Sequence, residues 1–203
     1  MDLRPVAALV LAAATLLGGA ARAADAVVQP SLAPVAAVWE PFDEIRVGGF
    51  AHNVIHNENS PVDASLEALS APIFFPGHDA GWVAGNPWLS WFFNPRLNLG
   101  AMINTGGKTS YVFTGFVWRI PIFSKFFFEG EFGGALNNAE RLPTPDRVDM
   151  GCPATFRESG GFGYQFSENW DLIASVEHVS HATFCSKINP GLTQFGVRVG
   201  YKF

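Results

Sequence analysis

Trp170–Phe203, WDLIASVEHVSHATFCSKINPGLTQFGVRVGYKF, reads as two strands joined by one loop, and the strands carry different signals. The last strand alternates without interruption. Phe195, Val197, Val199, Tyr201 and Phe203 fall on one face, and Gln194, Gly196, Arg198, Gly200 and Lys202 on the other, the two-residue period of an extended chain. In the strand before it, Trp170, Leu172, Ala174 and Val176 make an apolar face. The same parity carries His178 and Ser180 onto that face. A base and a hydroxyl two residues apart among apolar side chains point to chemistry on the greasy side of the sheet.

The chain before this stretch is a series of strand-like runs separated by turn residues. The first covers about Phe42–Val54 and is followed by a polar loop from His56 to His78. Gly81–Phe93, with Trp82, Trp88 and Trp91, is read as the second strand, and Arg96–Asn104, after the Asn94-Pro95 break, as the third. Thr105-Gly106-Gly107-Lys108 is a hairpin turn leading to a fourth strand over Ser110–Ile120. The fifth, Phe126–Ala135, alternates Glu129 and Glu131 with Phe128 and Phe132. After a long polar loop, Asn137–Gly151, come the sixth (Ala154–Phe166), seventh (Trp170–His181) and eighth (Thr193–Phe203) strands.

Eight strands, each with one apolar and one polar or glycine-rich face, predict an all-β, antiparallel outer-membrane β-barrel over residues 42–203. Glu129, Glu131, Asp171, Glu177, Arg198 and Lys202 would point inward and pair in a small lumen filled by side chains. A water-soluble eight-stranded barrel of the lipocalin type would instead turn the apolar face inward. The ending favours the membrane barrel, because a terminal Phe203 with alternate apolar residues before it resembles the sorting signal of outer-membrane barrels.

Composition agrees. The 203 residues are 48% hydrophobic and only 15% charged, with 19 Phe and 21 Gly, a balance suited to a protein whose apolar side chains need not all reach a core. A net charge of −5 without any basic run excludes a nucleic-acid footprint. At the N-terminus an apolar run from Val6 to Leu17 ends in Ala21-Arg22-Ala23, the pattern of a secretory signal peptide over residues 1–23. The run is too short to cross a hydrocarbon core of about 30 Å. Residues 24–41 read as a periplasmic lead-in.

Two tempting motifs fail. Met102–Thr109 (MINTGGKT) has methionine where a phosphate loop needs glycine, and two strands flank it. His52, His56 and Glu58 straddle a strand end and a loop, so their spacing fixes no metal geometry. There is also no G-x-S-x-G elbow of the soluble lipases.

Ester hydrolysis needs a hydroxyl nucleophile, a base and usually an acid that orients the base. Side chains at i and i+2 of a strand share a face at roughly 6.5–7 Å, so His178 and Ser180 can meet. A rim pair that only contacts lipid headgroups is the alternative. Glu177-His178-Val179-Ser180, then Asn189-Pro190-Gly191, then the GVRVGYKF ending resemble the PagL-type lipid A 3-O-deacylases, the acyloxyacyl hydrolase family of outer-membrane barrels. The resemblance is strongest over about Thr155–Phe203. It implies Ser180 as nucleophile, His178 as base, lipid A of lipopolysaccharide as substrate, surrounding outer-membrane lipids as neighbours, and no metal or cofactor. The family pattern commonly has asparagine after the serine, where this chain has His181, and a glutamate where this chain has Thr193. The family's asparagine helps to form the oxyanion hole, so the resemblance leaves that support to backbone N–H groups or to the His181 imidazole.

The missing acid has a geometric replacement. With a tight turn at Ser167–Asn169 and Phe166 opposite Trp170, antiparallel counting brings Glu158 opposite His178. Glu158 shares a face with Phe156, Phe162, Tyr164 and Phe166, and it is the candidate orienting acid; Glu177 would point into the barrel. Cys152 and Cys185, just before the sixth strand and just after the seventh, are positioned for a disulfide at the same rim. Against the deacylase stand a catalytically silent structural barrel, favoured by His181 and Thr193, and a phospholipase on the same fold. The sequence leaves open the acyl length accepted and whether the barrel is a homodimer.

Overall fold

The computed structural model describes residues 42–56, 62–142, 144–185, 187 and 189–203. The signal peptide, the lead-in and Glu58 lie outside these residues. Eight antiparallel strands follow one another around a closed barrel: β1 (Glu44–Ala51), β2 (Val62–Pro72), β3 (Arg96–Asn104), β4 (Tyr111–Phe123), β5 (Phe126–Asn137), β6 (Ala154–Gln165), β7 (Trp170–Ser180) and β8 (Leu192–Lys202). Closure is made by β1 against β8, with Glu44 opposite Lys202 and Ala51 opposite Phe195. Because every strand has two neighbours, no edge is left to pair with another chain.

The second strand differs from the sequence expectation. Val62–Pro72, read as loop, is β2, whereas Gly81–Phe93 holds two short helices, α1 (Gly81–Ala84) and α2 (Pro87–Phe92). The cause is local. Asn86 caps α2 by accepting from the Trp88 and Leu89 N–H groups, with Pro87 at the first helical position, a combination that starts helices. Val62, Ala64, Leu66 and Ala68 alternate with Asp63, Ser65, Glu67 and Leu69. That period is a strand's, carried on a face weakened by alanine.

The two faces are inverted relative to a soluble protein. Leu66, Leu99, Val112, Phe128, Phe132, Phe162, Leu172, Val176 and Phe195 stand exposed on the outer wall, which is where lipid replaces water as solvent. The lumen is charged and buried. Near the end that carries the C-terminus, Arg119 joins Glu129 and Asp171, and Arg96 joins Asp43 and Glu44. In the middle, Arg46 donates to Glu44 at 2.6 Å and to both carboxylate oxygens of Glu129 at 2.6 and 2.8 Å. Above it, Arg157 and Arg198 share Glu131 and Glu177. Ion pairs so far from water stabilise only when each charge is matched; every buried charge named here has two or more partners, and Asp43, which is partly exposed, has Arg96 alone. A lipocalin-type interior is thereby excluded.

Candidate active site

Strand parity places the site residues. On β7, Asp171, Ile173, Ser175, Glu177 and Val179 are buried in the lumen, so His178 and Ser180 face outward with Leu172, Ala174 and Val176. Both are half-buried at the wall's upper rim, away from the termini. That is the side of a membrane barrel turned toward lipid. The observed register pairs Glu158 with His178 and Phe156 with Ser180 across β6–β7, and His178 with Thr193 across β7–β8.

The imidazole is held from the β8 side. His178 Nδ1 lies 2.8 Å from Thr193 Oγ1, and Thr193 itself is buried. With Nδ1 engaged, Nε2 is the nitrogen left for proton transfer. Glu158 is exposed on the opposite flank of the ring, and the Nδ1 contact goes to threonine rather than to this carboxylate. Gly191, in a left-handed conformation at φ +71°, lies against the other side of the imidazole. A Cβ there would stand 2.5 Å from His178 Cε1 and 2.9 Å from Nε2. The side chains of 178 and 180 are not hydrogen-bonded to each other; their common face and spacing leave the contact to a side-chain rotation.

The turn after Ser180 is built to a particular shape. Asn189 Oδ1 accepts from the His181 N–H at 3.2 Å, and His181 is buried, lining an apolar hollow with Thr155, Phe156 and Phe184. Ala182 and Thr183 adopt φ of 48° and 66°, left-handed values that residues with side chains seldom hold without compensation. Cys152 and Cys185 form a disulfide with Cα atoms 5.9 Å apart, which staples this turn to the start of β6. A second hollow runs below the histidine, over Gly160 and between Phe162, Val176 and Phe195.

Three contributors were not visible as such in the sequence. Thr193 read as a lost acid, though its position opposite His178 follows once β7 and β8 are put in register. Gly191 and Asn189 read only as part of a turn. The histidines considered for metal behave otherwise: His52 is buried against Asp63 at 2.8 Å, and His56 contacts Asn53. Among the described residues no group of three or more His, Cys, Asp or Glu side chains could hold a metal ion.

The Gly191 contact makes a clear prediction. Gly191→Ala is expected to push the imidazole off Thr193 and to strain the backbone, costing about 1 kcal/mol or more of stability. Any reaction that uses this imidazole should fall at least about 10-fold in the folded variant, the effect of misplacing a reacting group. Retention of full activity would mean that the ring's observed position is not the working one.

A family model described as lipid A 3-O-deacylase (PagL) matches residues 76–202. Among solved structures, the crystal structure of the outer membrane enzyme PagL superposes with a TM-score of 0.55 at 14% identity, covering 79% of this chain and 99% of that one. A de novo designed transmembrane β-barrel gives 0.47 at 13% identity over 81% and 98%. The Yersinia pestis outer membrane protein Ail gives 0.44 at 13% identity over 81% and 100%. No curated protein sequence matches the chain.

Proposed function

Because the chain belongs to the PagL family of lipid A 3-O-deacylases and folds as an outer-membrane β-barrel, we propose that it hydrolyses the ester-linked acyl chain at the 3-position of lipid A with Ser180 as nucleophile. The observation that carries this reading is the outward-facing His178–Ser180 pair on β7, with the imidazole pinned through Nδ1. In this mechanism Nδ1–H donates to Thr193 Oγ1, so Nε2 holds the lone pair. Nε2 takes the Ser180 hydroxyl proton as the oxygen attacks the ester carbonyl. The tetrahedral oxyanion is held by donors from the 181–183 turn, the His181 imidazole and the backbone N–H groups of Ala182 and Thr183. Collapse expels the sugar alkoxide, which recovers the proton from the imidazolium. Water, activated by the same nitrogen, then releases the fatty acid and restores the serine.

Thr193 orients the base but contributes no formal charge. Glu158, directly across β6–β7 from His178, is the carboxylate that balances the transient imidazolium. Thr193→Val is therefore expected to lower kcat about 10–100-fold, the worth of a positioned hydrogen bond in a catalytic site, while Thr193→Ser retains most of the activity. Glu158→Gln should lower kcat by about 10-fold with little change in KM, since its charge matters only when the imidazolium forms. An unaltered Glu158→Gln enzyme would remove that residue from the mechanism.

The reading is tested by mass spectrometry of lipid A from cells expressing the chain. The expected result is a product lighter by one ester-linked acyl chain, with the matching free fatty acid in the lipid extract. Lipid A of unchanged mass would favour a catalytically silent barrel, and lysophospholipid in its place would favour a phospholipase.

A further inference from the structure

The connection between β2 and β3 is a 23-residue excursion at the end of the barrel where the other turns are tight. It extends the β2–β3 ribbon past Pro72 and Arg96 through the Ile73 N–H to Pro95 O bond at 2.8 Å and the Phe75 N–H to Phe93 O bond at 3.2 Å. The ribbon is capped by α1 and α2. Instead of projecting away, the hairpin packs against the lipid-facing wall. Phe116 and Trp118 share the outward parity of β4 with Val112 and Thr114. Phe92 stacks on Trp118 with centroids 5.8 Å apart and planes 11° from parallel, and Phe75 meets Phe116 edge-on at 5.4 Å. The Trp118 indole donates to Phe92 O at 3.0 Å. Register explains why it settles there: Val117 is the last β4 residue paired to β3, so β4 runs on with a bare flank. The Trp91 indole donates to Arg119 O on that flank at 2.9 Å, satisfying a carbonyl that would otherwise face lipid.

Around the same end, β4 to β8 carry a run of aromatic rings on the outer wall. Phe123 meets Phe126 at 5.0 Å, Phe126 meets Tyr164 at 4.8 Å, Phe166 meets Trp170 at 6.5 Å, Trp170 meets Tyr201 at 4.8 Å, and Tyr201 meets Phe203 at 5.5 Å. Such girdles mark the membrane–water boundary, where an amphipathic ring is best accommodated. The ends of β2 and β3 supply no aromatic to it: they are Ser70, Ala71 and Pro72 on one strand and Leu97 on the other. The hairpin grows from these two strands. Its Trp82 and Trp88 are 69% and 68% exposed, and Phe74 and Phe92 are exposed beside them.

We propose that the β2–β3 hairpin is an interfacial anchor: Trp82, Trp88, Phe74 and Phe92 insert at the headgroup–acyl boundary of the inner leaflet and complete the aromatic girdle over β2 and β3. Its partner is the lipid surface around the barrel. The two exposed tryptophans each keep a ring N–H for headgroup oxygens, which suits the indole to this depth. The strands it grows from, β2 and β3, lie across the barrel from β6 and β7, so it holds the wall opposite His178 and Ser180 at a fixed height.

The test is collision accessibility of a nitroxide at Trp82→Cys and, separately, at Trp88→Cys, in full-length barrel with its disulfide intact. The protein is reconstituted in phosphatidylethanolamine/phosphatidylglycerol vesicles, with folding checked by heat-modifiable gel mobility. Labels at Leu172→Cys on the wall and Asp146→Cys on the opposite loop set the lipid and water limits. The expected result at both positions is preferential collision with oxygen over a water-soluble nickel complex, on the lipid side of the midpoint between the controls. Nickel accessibility equal to that at Asp146→Cys, at either position, would overturn the proposal. Intrinsic fluorescence gives a second readout without labels. Brominated lipid should remove a smaller absolute amount of emission in Trp82→Phe/Trp88→Phe than in the unaltered chain, and an unchanged amount would count equally against it.

Discussion

Ser180→Ala is expected to lower lipid A deacylation about 10³-fold or more, the loss seen when a nucleophile is removed from a unit of cooperating groups. The substitution should leave the barrel intact. Ser180 is the last residue of β7, half-buried on the outer wall, and among the described residues its side chain holds no neighbour by a hydrogen bond. The loss should appear in kcat, because lipid contacts along the wall remain and ground-state binding is unaffected. His178→Ala should cost about as much and should not add to it, since a base without its nucleophile does nothing. The measurement is fatty-acid release from purified lipid A by folded protein, with gel mobility as the check on folding. A Ser180→Ala enzyme within 10-fold, as an order-of-magnitude bound, of the unaltered one would exclude this serine as nucleophile.

The second large effect lies in the lumen and concerns stability. Arg46 is fully buried and donates hydrogen bonds to three carboxylates, Glu44, Glu67 and Glu129, with Glu131 a fourth at 3.9 Å. Glu129 would keep Arg119, and Glu44 would keep Arg96, if Arg46 were removed. Glu67 would be left with Asn98 alone as its hydrogen-bond donor, at 2.7 Å. Arg46→Met should therefore destabilise the barrel by about 3–5 kcal/mol, the cost of leaving buried charge uncompensated. A double variant, Arg46→Met with Glu67→Gln, should recover part of that loss, because the carboxylate with fewest remaining partners is gone. Urea unfolding in lipid vesicles measures both. If the double variant were no more stable than the single one, the stranded charge on Glu67 would not be the source of the cost.

The architecture could be read from parity because each strand of a membrane barrel shows its two environments in alternate residues. Counting from the tight turn after Phe166 also leads to the observed register, with Glu158 opposite His178. The error at the second strand has a physical origin. A tryptophan-rich segment resembles a strand, but here aromatic character serves packing on the outer wall, and the Asn86-Pro87 cap was the stronger signal. The real β2 was disguised by alanines on its lipid face. The lumen pairing was legible only in part: inward residues are evident from parity, but which of them meet depends on stagger across the barrel. Arg46 and Glu129 lie 83 residues apart, and no local pattern links them. Thr193 shows the same limit at the site. As a residue type it suggests absence of an acid, and only pairing with β7 reveals it as the hydrogen-bond partner of the imidazole.

The mechanism proposed here requires the hydroxyl at position 180, on the outer wall beside His178, to be a nucleophile. Treating the folded barrel with a fluorophosphonate and mapping the adduct by peptide mass spectrometry addresses it most directly. One adduct is expected, on the peptide containing Ser180, lost in Ser180→Ala and strongly slowed in His178→Ala. Labelling of a different serine, or an unmodified Ser180 in protein that still releases fatty acid from lipid A, would contradict it.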